Sequence, residues 1–131
     1  MKKNAIIVAK RKTAIARAVI TDGTGKISIN SKSVSAYPET LLRLIVNEPV
    51  SIAADLAKKY DIAIEINGGG AMSRAQAMRS VIAKSLSKKE KSLKKRFLEY
   101  DRSLLVDDKR QTEAQKPYRS SARSLKQTSY R

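Results

Sequence analysis

The sequence predicts an α+β chain: a two-layer α/β sandwich, one sheet with helices packed on a face, followed by a long extended basic C-terminal tail. Three observations carry that expectation. Short stretches alternate apolar and polar residues with the period of two that a half-buried strand requires. Longer stretches repeat apolar residues every three or four positions, the mark of an amphipathic helix. The apolar set suffices for one core, and beyond Val106 there is little left to bury.

Residues 5–9 (AIIVA) are apolar and partly β-branched, and read as strand. Lys10, Arg11 and Lys12 follow, and then residues 13–20 alternate, with Ile15, Arg17 and Val19 on one side. The spacing fits one strand with a bulge at the basic cluster. Thr21-Asp22-Gly23-Thr24-Gly25 predicts a turn, and residues 26–30 alternate again, so 14–30 reads as a hairpin. Residues 31–36 carry no strand pattern of their own, with room only for brief pairing at 32–35.

Pro38 and Glu39 suit a first helical turn, and Leu41, Leu42, Leu44, Ile45 and Val46 make a short apolar helix. Glu48-Pro49 is expected to end it, since the residue before a proline is pushed out of the α region. Pro49 then opens a second helix, whose stripe is Ile52, Leu56 and Tyr60 beside Ala53 and Ala57. Ile62, Ile64 and Ile66 alternate as a strand. Gly68-Gly69-Gly70 joins it to the longest helix, 71–86, buried through Ala75, Met78, Ile82 and Leu86 with Ala71 and Val81 beside them. Ser87 and Glu90 have the spacing of a capping box, which predicts a break at Ser87 and a last helix over 88–99 anchored by Leu93 and Phe97. Leu104, Leu105 and Val106 form a final apolar anchor. The division is therefore a globular domain over 1–106, including helix 88–99, and a tail over 107–131.

Composition narrows the function. Lys plus Arg is 28 against 12 Asp plus Glu, a formal +16. Such a charge repels itself in a compact chain and calls for a polyanion, with nucleic acid first and an acidic membrane surface second. No stretch reaches the length of a membrane span. The N-terminal apolar run stops at Lys10, too short for a secretory signal core, and cytoplasmic location is the expectation. With neither cysteine nor histidine, there is no disulfide framework, no thiolate metal site and no imidazole base. No nucleophile–base–orienter set can be assembled, so no catalytic residue, cofactor or small-molecule substrate is assigned.

The cations fall in groups. Lys10, Arg11, Lys12 and Arg17 repel one another unless neutralised, which favours phosphate contact. Gly68, Gly69 and Gly70 ahead of a helix read equally as a phosphate cradle and as a tight connector; no nucleotide-binding fingerprint is present. The helix at 88–99 carries six cations against Glu90 and Glu99, either a solvated face or a phosphate surface. Asp101, Asp107 and Asp108 sit beside Arg102, Lys109 and Arg110, which favours local ion pairs over a metal site. Residues 114–131 hold five cations (Lys116, Arg119, Arg123, Lys126, Arg131), no acid, and Tyr118 and Tyr130 between them. Dispersed charge with stacking side chains suits tracking a nucleic-acid backbone, with ordering on binding.

These residues resemble the small-subunit ribosomal protein family numbered nine, in its archaeal and eukaryotic form. The stretch from Lys10 to Arg17 (KRKTAIAR) is similar to its N-terminal motif, and Gly25 to Asn30 (GKISIN) to its second-strand motif. Asn47-Glu48-Pro49 is similar to its mid-chain proline motif. Gly68-Gly69-Gly70 with Ala75, Ala77 and Arg79 resembles its glycine signature. Tyr100 to Arg110 (YDRSLLVDDKR) is similar to its helix-exit motif, and Ser129-Tyr130-Arg131 to its ending.

The resemblance implies the fold shared with the second domain of another small-subunit protein, with a left-handed β-α-β crossover against the usual rule. It implies a structural protein that binds ribosomal RNA in the small-subunit head, beside neighbouring head proteins. The tail would reach toward the anticodon stem-loop of peptidyl-site tRNA. Lys10, Arg11, Lys12, Arg17, Gly68, Gly69, Gly70, Arg74, Arg79, Arg102, Arg110, Arg119, Arg123 and Lys126 would then face ribosomal RNA, and Ser129, Tyr130 and Arg131 the tRNA. Three departures stand out: Ser73-Arg74 replaces the family's usual Gly-Gln, Tyr118-Arg119-Ser120-Ser121 lacks its glycines, and Thr128 replaces a common lysine. A free-standing nucleic-acid chaperone and an RNA-processing cofactor are the rival readings.

Overall fold

The computed structural model describes residues 5–37, 39–127 and 129. Among them run β1 (Ile6–Arg11), β2 (Ala14–Asp22), β3 (Ile27–Ile29), β4 (Lys32–Ser33), α1 (Thr40–Ile52), α2 (Ala54–Ala57), β5 (Tyr60–Asn67), α3 (Ala71–Lys89) and α4 (Ser92–Tyr100). Single 3-10 turns cover Val34–Ala36 and Arg102–Leu104. The strands form one mixed sheet in the order β1-β2-β5-β3-β4, with β3 parallel to β5 and the other pairs antiparallel. Helices lie on one face only, so the α+β two-layer expectation is met. Pro38, expected in the first helical turn, lies outside the described residues.

The alternation places the core. Ile7 and Ala9, Ala14, Ala16, Ala18 and Ile20, and Ile62, Ile64 and Ile66 all turn to the helical face and are buried. Three alanines in β2 keep that surface low, which lets α3 sit close against β1 and β2. Helix α3 is the central element: Ala75, Ala77, Met78, Val81, Ile82, Ala83 and Leu86 are buried on a wide arc, between the sheet and α1 with α4. Leu93, Phe97 and Leu104 close the core from the other side and are fully covered.

Four expectations need correction. The basic cluster is not a bulge within one strand: Lys12 takes a left-handed φ of 52°, and Arg11 pairs with Ala14 across a tight reversal. Nor do residues 14–30 form a hairpin, because β5 lies between β2 and β3. The connecting loop folds over the start of β5 instead. Asp61 accepts from the Thr24 and Lys26 amides at 2.8 Å each, and those amides with that of Gly25 hold its carboxyl below the usual range. Pro49 does not end a helix; α1 runs through it to Ile52. Leu42, Val46 and Pro49 form one buried stripe, and burying it offsets the roughly 3 kcal/mol cost of an internal proline. Ser87 does not break the chain either. It lies inside α3, and Glu90 accepts the Tyr60 hydroxyl at 3.2 Å rather than capping α4.

Where β3 ends, Asn30 continues the ladder with its side chain. Its Oδ1 accepts from the Ile66 amide at 3.0 Å and its Nδ2 donates to the Ile66 carbonyl at 3.3 Å, from a backbone φ of 46°. Asn30→Ala should lower unfolding free energy by about 1–2 kcal/mol, from the lost hydrogen bonds and a left-handed position that alanine disfavours. Urea titration measures this; an unchanged midpoint would refute the role.

The outer edge of β1 is covered by chain nearly a hundred positions away. Asp107 accepts from the Lys10 amide at 3.4 Å, Asp108 makes a parallel bridge with Arg11, and Lys84 donates to the Val8 carbonyl at 3.3 Å. An edge strand left bare is a pairing hazard, and the late segment blunts the Lys10–Arg11 end of this one while Lys84 of α3 occupies the Val8 carbonyl.

Candidate nucleic-acid interface

The tight β1–β2 turn and the glycine run meet at one end of the sheet. Gly68 and Gly69 have φ of 73° and 70°, which favours glycine. A Cβ on Gly68 would stand 2.5 Å from the Thr13 carbonyl oxygen, and one on Gly69 would stand 2.7 Å from the Ala14 Cβ. These two are therefore required by close packing against the turn. Gly70 differs: a Cβ there meets nothing within 4 Å, and it precedes α3 with no side-chain cap. Its side of the helix start, with unpaired amides and the positive end of the dipole, remains open to an anion. The tight-connector reading thus accounts for Gly68 and Gly69 and leaves Gly70 without a packing reason.

Cations collect around this end. Lys12 sits on the turn itself and is exposed. Arg74 donates from Nε to the Gly68 carbonyl at 2.8 Å and is also exposed. Arg110 is held by Asp108, with Nε and Nη2 donating to Oδ2 at 3.0 and 2.7 Å, yet its side chain is 83% exposed. Gln111 donates to the Lys12 carbonyl at 3.3 Å, which ties the start of the tail to the same turn. Arg110, by its side chain and amide, holds the Asp108 carboxyl far below the usual carboxylate range, with Arg11 adding to the effect.

Other expected residues lie elsewhere or serve the fold. Lys10 is exposed, while Arg11 is half-buried and bonded to Gln76, Asp108 and the Arg110 carbonyl. Arg17 stands on the open face of the sheet, opposite Glu65 of β5 and Val8 of β1, apart from the turn. Arg102 is exposed on the 3-10 turn after α4.

Arg79 is an internal strut. Its side chain is only 15% exposed; Nη2 donates to Asp101 at 2.7 Å and to Glu48 at 3.1 Å, and Nη1 donates to Ser103 at 3.1 Å. The guanidinium links α1, α3 and the exit of α4, and its donors are occupied there. Of the expected local ion pairs, Asp108 makes its own with Arg110, with Arg11 farther off at 3.5 Å, whereas Asp101 and Asp107 pair with the distant cations Arg79 and Lys84 rather than with Arg102 and Lys109 beside them. No group of acidic side chains among the described residues could hold a metal.

Half of the α4-region charge is engaged: Lys89 pairs with Asp22 at 3.0 Å and lies over the Tyr60 ring, Lys95 pairs with Glu99 at 3.8 Å, and Arg96 donates to the Ile52 carbonyl. Along the tail, Glu113 pairs with both Lys116 and Arg123, while Arg119 and Lys126 are exposed. Ser129 is exposed, and its carbonyl accepts from Gln127 at 3.0 Å; Thr128, Tyr130 and Arg131 lie outside the described residues.

Comparison with known proteins gives one consistent result. Residues 9–131 match the family described as ribosomal protein S9/S16. The chain is 42% identical over 128 residues to the protein named small ribosomal subunit protein uS9 of Thermoplasma volcanium, covering 96% of this chain and 97% of that one. Similar proteins of the same name occur in Thermoplasma acidophilum, at 43% identity over 96% of this chain and 99% of that one, and in Methanococcus vannielii, at 41% over 95% and 96%.

Proposed function

The chain belongs to the ribosomal protein S9/S16 family, and from that premise we propose that it is a structural, non-catalytic protein of the small ribosomal subunit in the cytoplasm. It binds ribosomal RNA in the subunit head, and its tail reaches toward the anticodon stem-loop of peptidyl-site tRNA. The observation that carries this reading is that exposed Lys12 on the β1–β2 turn, exposed Arg74 on the Gly68 carbonyl and the Gln111 anchor of the tail on the Lys12 carbonyl lie at one end of the sheet, with exposed Arg110 beside Arg11. Such an arrangement neutralises phosphates without reading bases.

Lys10, Lys12, Gly70, Arg74 and Arg110 form the domain's RNA surface in this reading, and Arg11, its side chain 15% exposed and bonded to Gln76, Asp108 and the Arg110 carbonyl, braces it from beneath. Arg17 and Arg102 contribute from neighbouring faces, and Gly68 and Gly69 act by shaping the turn. Arg79 is left out, since its donors serve the fold. Arg119, Arg123 and Lys126 track RNA along the tail, and Ser129, Tyr130 and Arg131 meet tRNA. The domain proper ends at 106, with residues 107–111 laid along its edge. The β3-α1-α2-β5 unit is the place for the family's left-handed crossover.

Removing residues 129–131 should weaken peptidyl-site tRNA binding to reconstituted small subunits by about tenfold, from the loss of one charge-assisted phosphate contact and its supports. Assembly, followed by sedimentation, should be unaffected. Unchanged tRNA affinity would refute the role of the tip.

A further inference from the structure

The sheet edge farthest from β1 borders a second surface of different character. A groove of about 790 Å³ lies between α1 and the β3–β4 edge, and it continues past Val50 toward Lys58. Its apolar side is made by Ile27, Leu44 and Val50, with Leu44 64% exposed. Leu41, one turn earlier on α1, is exposed as well. Its polar side carries Lys26 and Arg43, with Lys58 in the continuation, and no Asp or Glu occurs among the described residues that line it.

Arg43 is held in place. Its Nη2 donates to the Thr40 hydroxyl at 3.2 Å and its Nη1 to the Ser35 carbonyl at 3.5 Å. Its Nε is shut off from water with no hydrogen-bond partner among the described residues. A guanidinium fixed this way keeps its remaining Nη hydrogens for a carboxylate.

We propose that this groove receives a short acidic segment of a neighbouring small-subunit protein, with an aliphatic side chain against Leu44 and Val50 and a carboxylate on Arg43 and Lys26. The proposal rests on the ribosomal reading and adds a partner surface to it. Charge complementarity supplies the acidic character, and the exposed leucines decide for protein over RNA. A phosphate backbone would neutralise Lys26 and Arg43 but leave Leu41 and Leu44 without an apolar partner. The tail's departure, by contrast, lies at the β1 edge on the opposite side of the sheet.

The chain contains no cysteine, so a single introduced thiol can be labelled cleanly. Leu44→Cys and Ser124→Cys full-length proteins, each carrying a benzophenone, are assembled into small subunits and illuminated. From position 44 the expected adduct is a peptide of another subunit protein, crosslinked at an aliphatic residue with Asp or Glu beside it. Adding Arg43→Glu should reduce that adduct by about tenfold, with the thermal unfolding of the free protein retained. From position 124 the expected adduct is ribosomal RNA. An RNA adduct at position 44, no adduct there, or a peptide without an acid would overturn the groove proposal while leaving the RNA reading intact. Failure of the unmodified chain to join small subunits would overturn the ribosomal reading, and the groove proposal with it.

Discussion

Deletion of residues 114–131 should lower affinity for small-subunit ribosomal RNA by at least about a hundredfold at 0.1 M salt, and should reduce the slope of log affinity against log salt by about 3 to 4. The segment removes five cations and no acid. Each phosphate it neutralises contributes up to about 0.9 to that slope, and Glu113, left behind, had already offset part of Lys116 and Arg123. Stability should hardly change, with a melting temperature within about 2 °C of the full chain. The reason lies in where the contacts end: among the described residues the last fully covered side chain is Leu104, and the tail's start is tied to the domain by the Gln111 bond to Lys12, which the deletion spares. Titration with RNA over a series of KCl concentrations, beside a thermal melt, checks both halves. An unchanged salt slope, or a large fall in melting temperature, would contradict them.

Arg79→Leu should act in the opposite way. It should lower unfolding free energy by about 2–4 kcal/mol, below the about 3–5 kcal/mol of a fully buried pair because Glu48 and Asp101 retain some exposure. That corresponds to a melting-temperature loss of about 10 °C, while the folded protein keeps the RNA salt slope of the wild type. Acid sharpens the test. Asp101 is lowered from 3.8 to about 2 by the Ser103 hydroxyl first, with the Arg79 guanidinium and the Ser103 amide adding to it against partial burial. A depressed carboxyl contributes stability that is whole above about pH 4 and disappears as pH falls through about 2. The wild type should therefore lose stability across that window, and Arg79→Leu should lose less there. A variant with wild-type stability but a reduced salt slope would return Arg79 to the RNA surface.

The contrast between these two variants reflects what the sequence can express. Periodicity made β5 and α3 legible, because Ile62, Ile64 and Ile66 alternate and Ala75, Met78, Ile82 and Leu86 recur at helical spacing. The anchors Leu93, Phe97 and Leu104 were legible for the same reason. Strand order was not: β2 and β3 adjoin in sequence, yet β5 separates them, and nothing local in residues 21–26 announces that Asp61 will occupy their amides. Pro49 and Ser87 obey local rules that tertiary burial overrides. Arg79 looked like one more cation in a basic chain. Its partners stand 22 and 31 positions away, so only the fold distinguishes it from Arg74, which is exposed on the same helix. The approach of residues 110 and 111 to Arg11 and Lys12 is likewise beyond a linear reading, since 99 positions separate the partners.

The covered edge of β1 bears on when the domain can be finished during synthesis. The bonds from Lys10 to Asp107, from Arg11 to the Arg110 carbonyl and from Gln111 to Lys12 span 97, 99 and 99 positions. The first strand leaves the translating ribosome early, but the chain that seals it leaves late. In the interval the β1–β2 hairpin has formed its local pairing and still offers a bare row of backbone donors and acceptors. A nascent chain stalled before Asp107 should accordingly engage chaperones or other strands through that edge, and one extended beyond Gln111 should not.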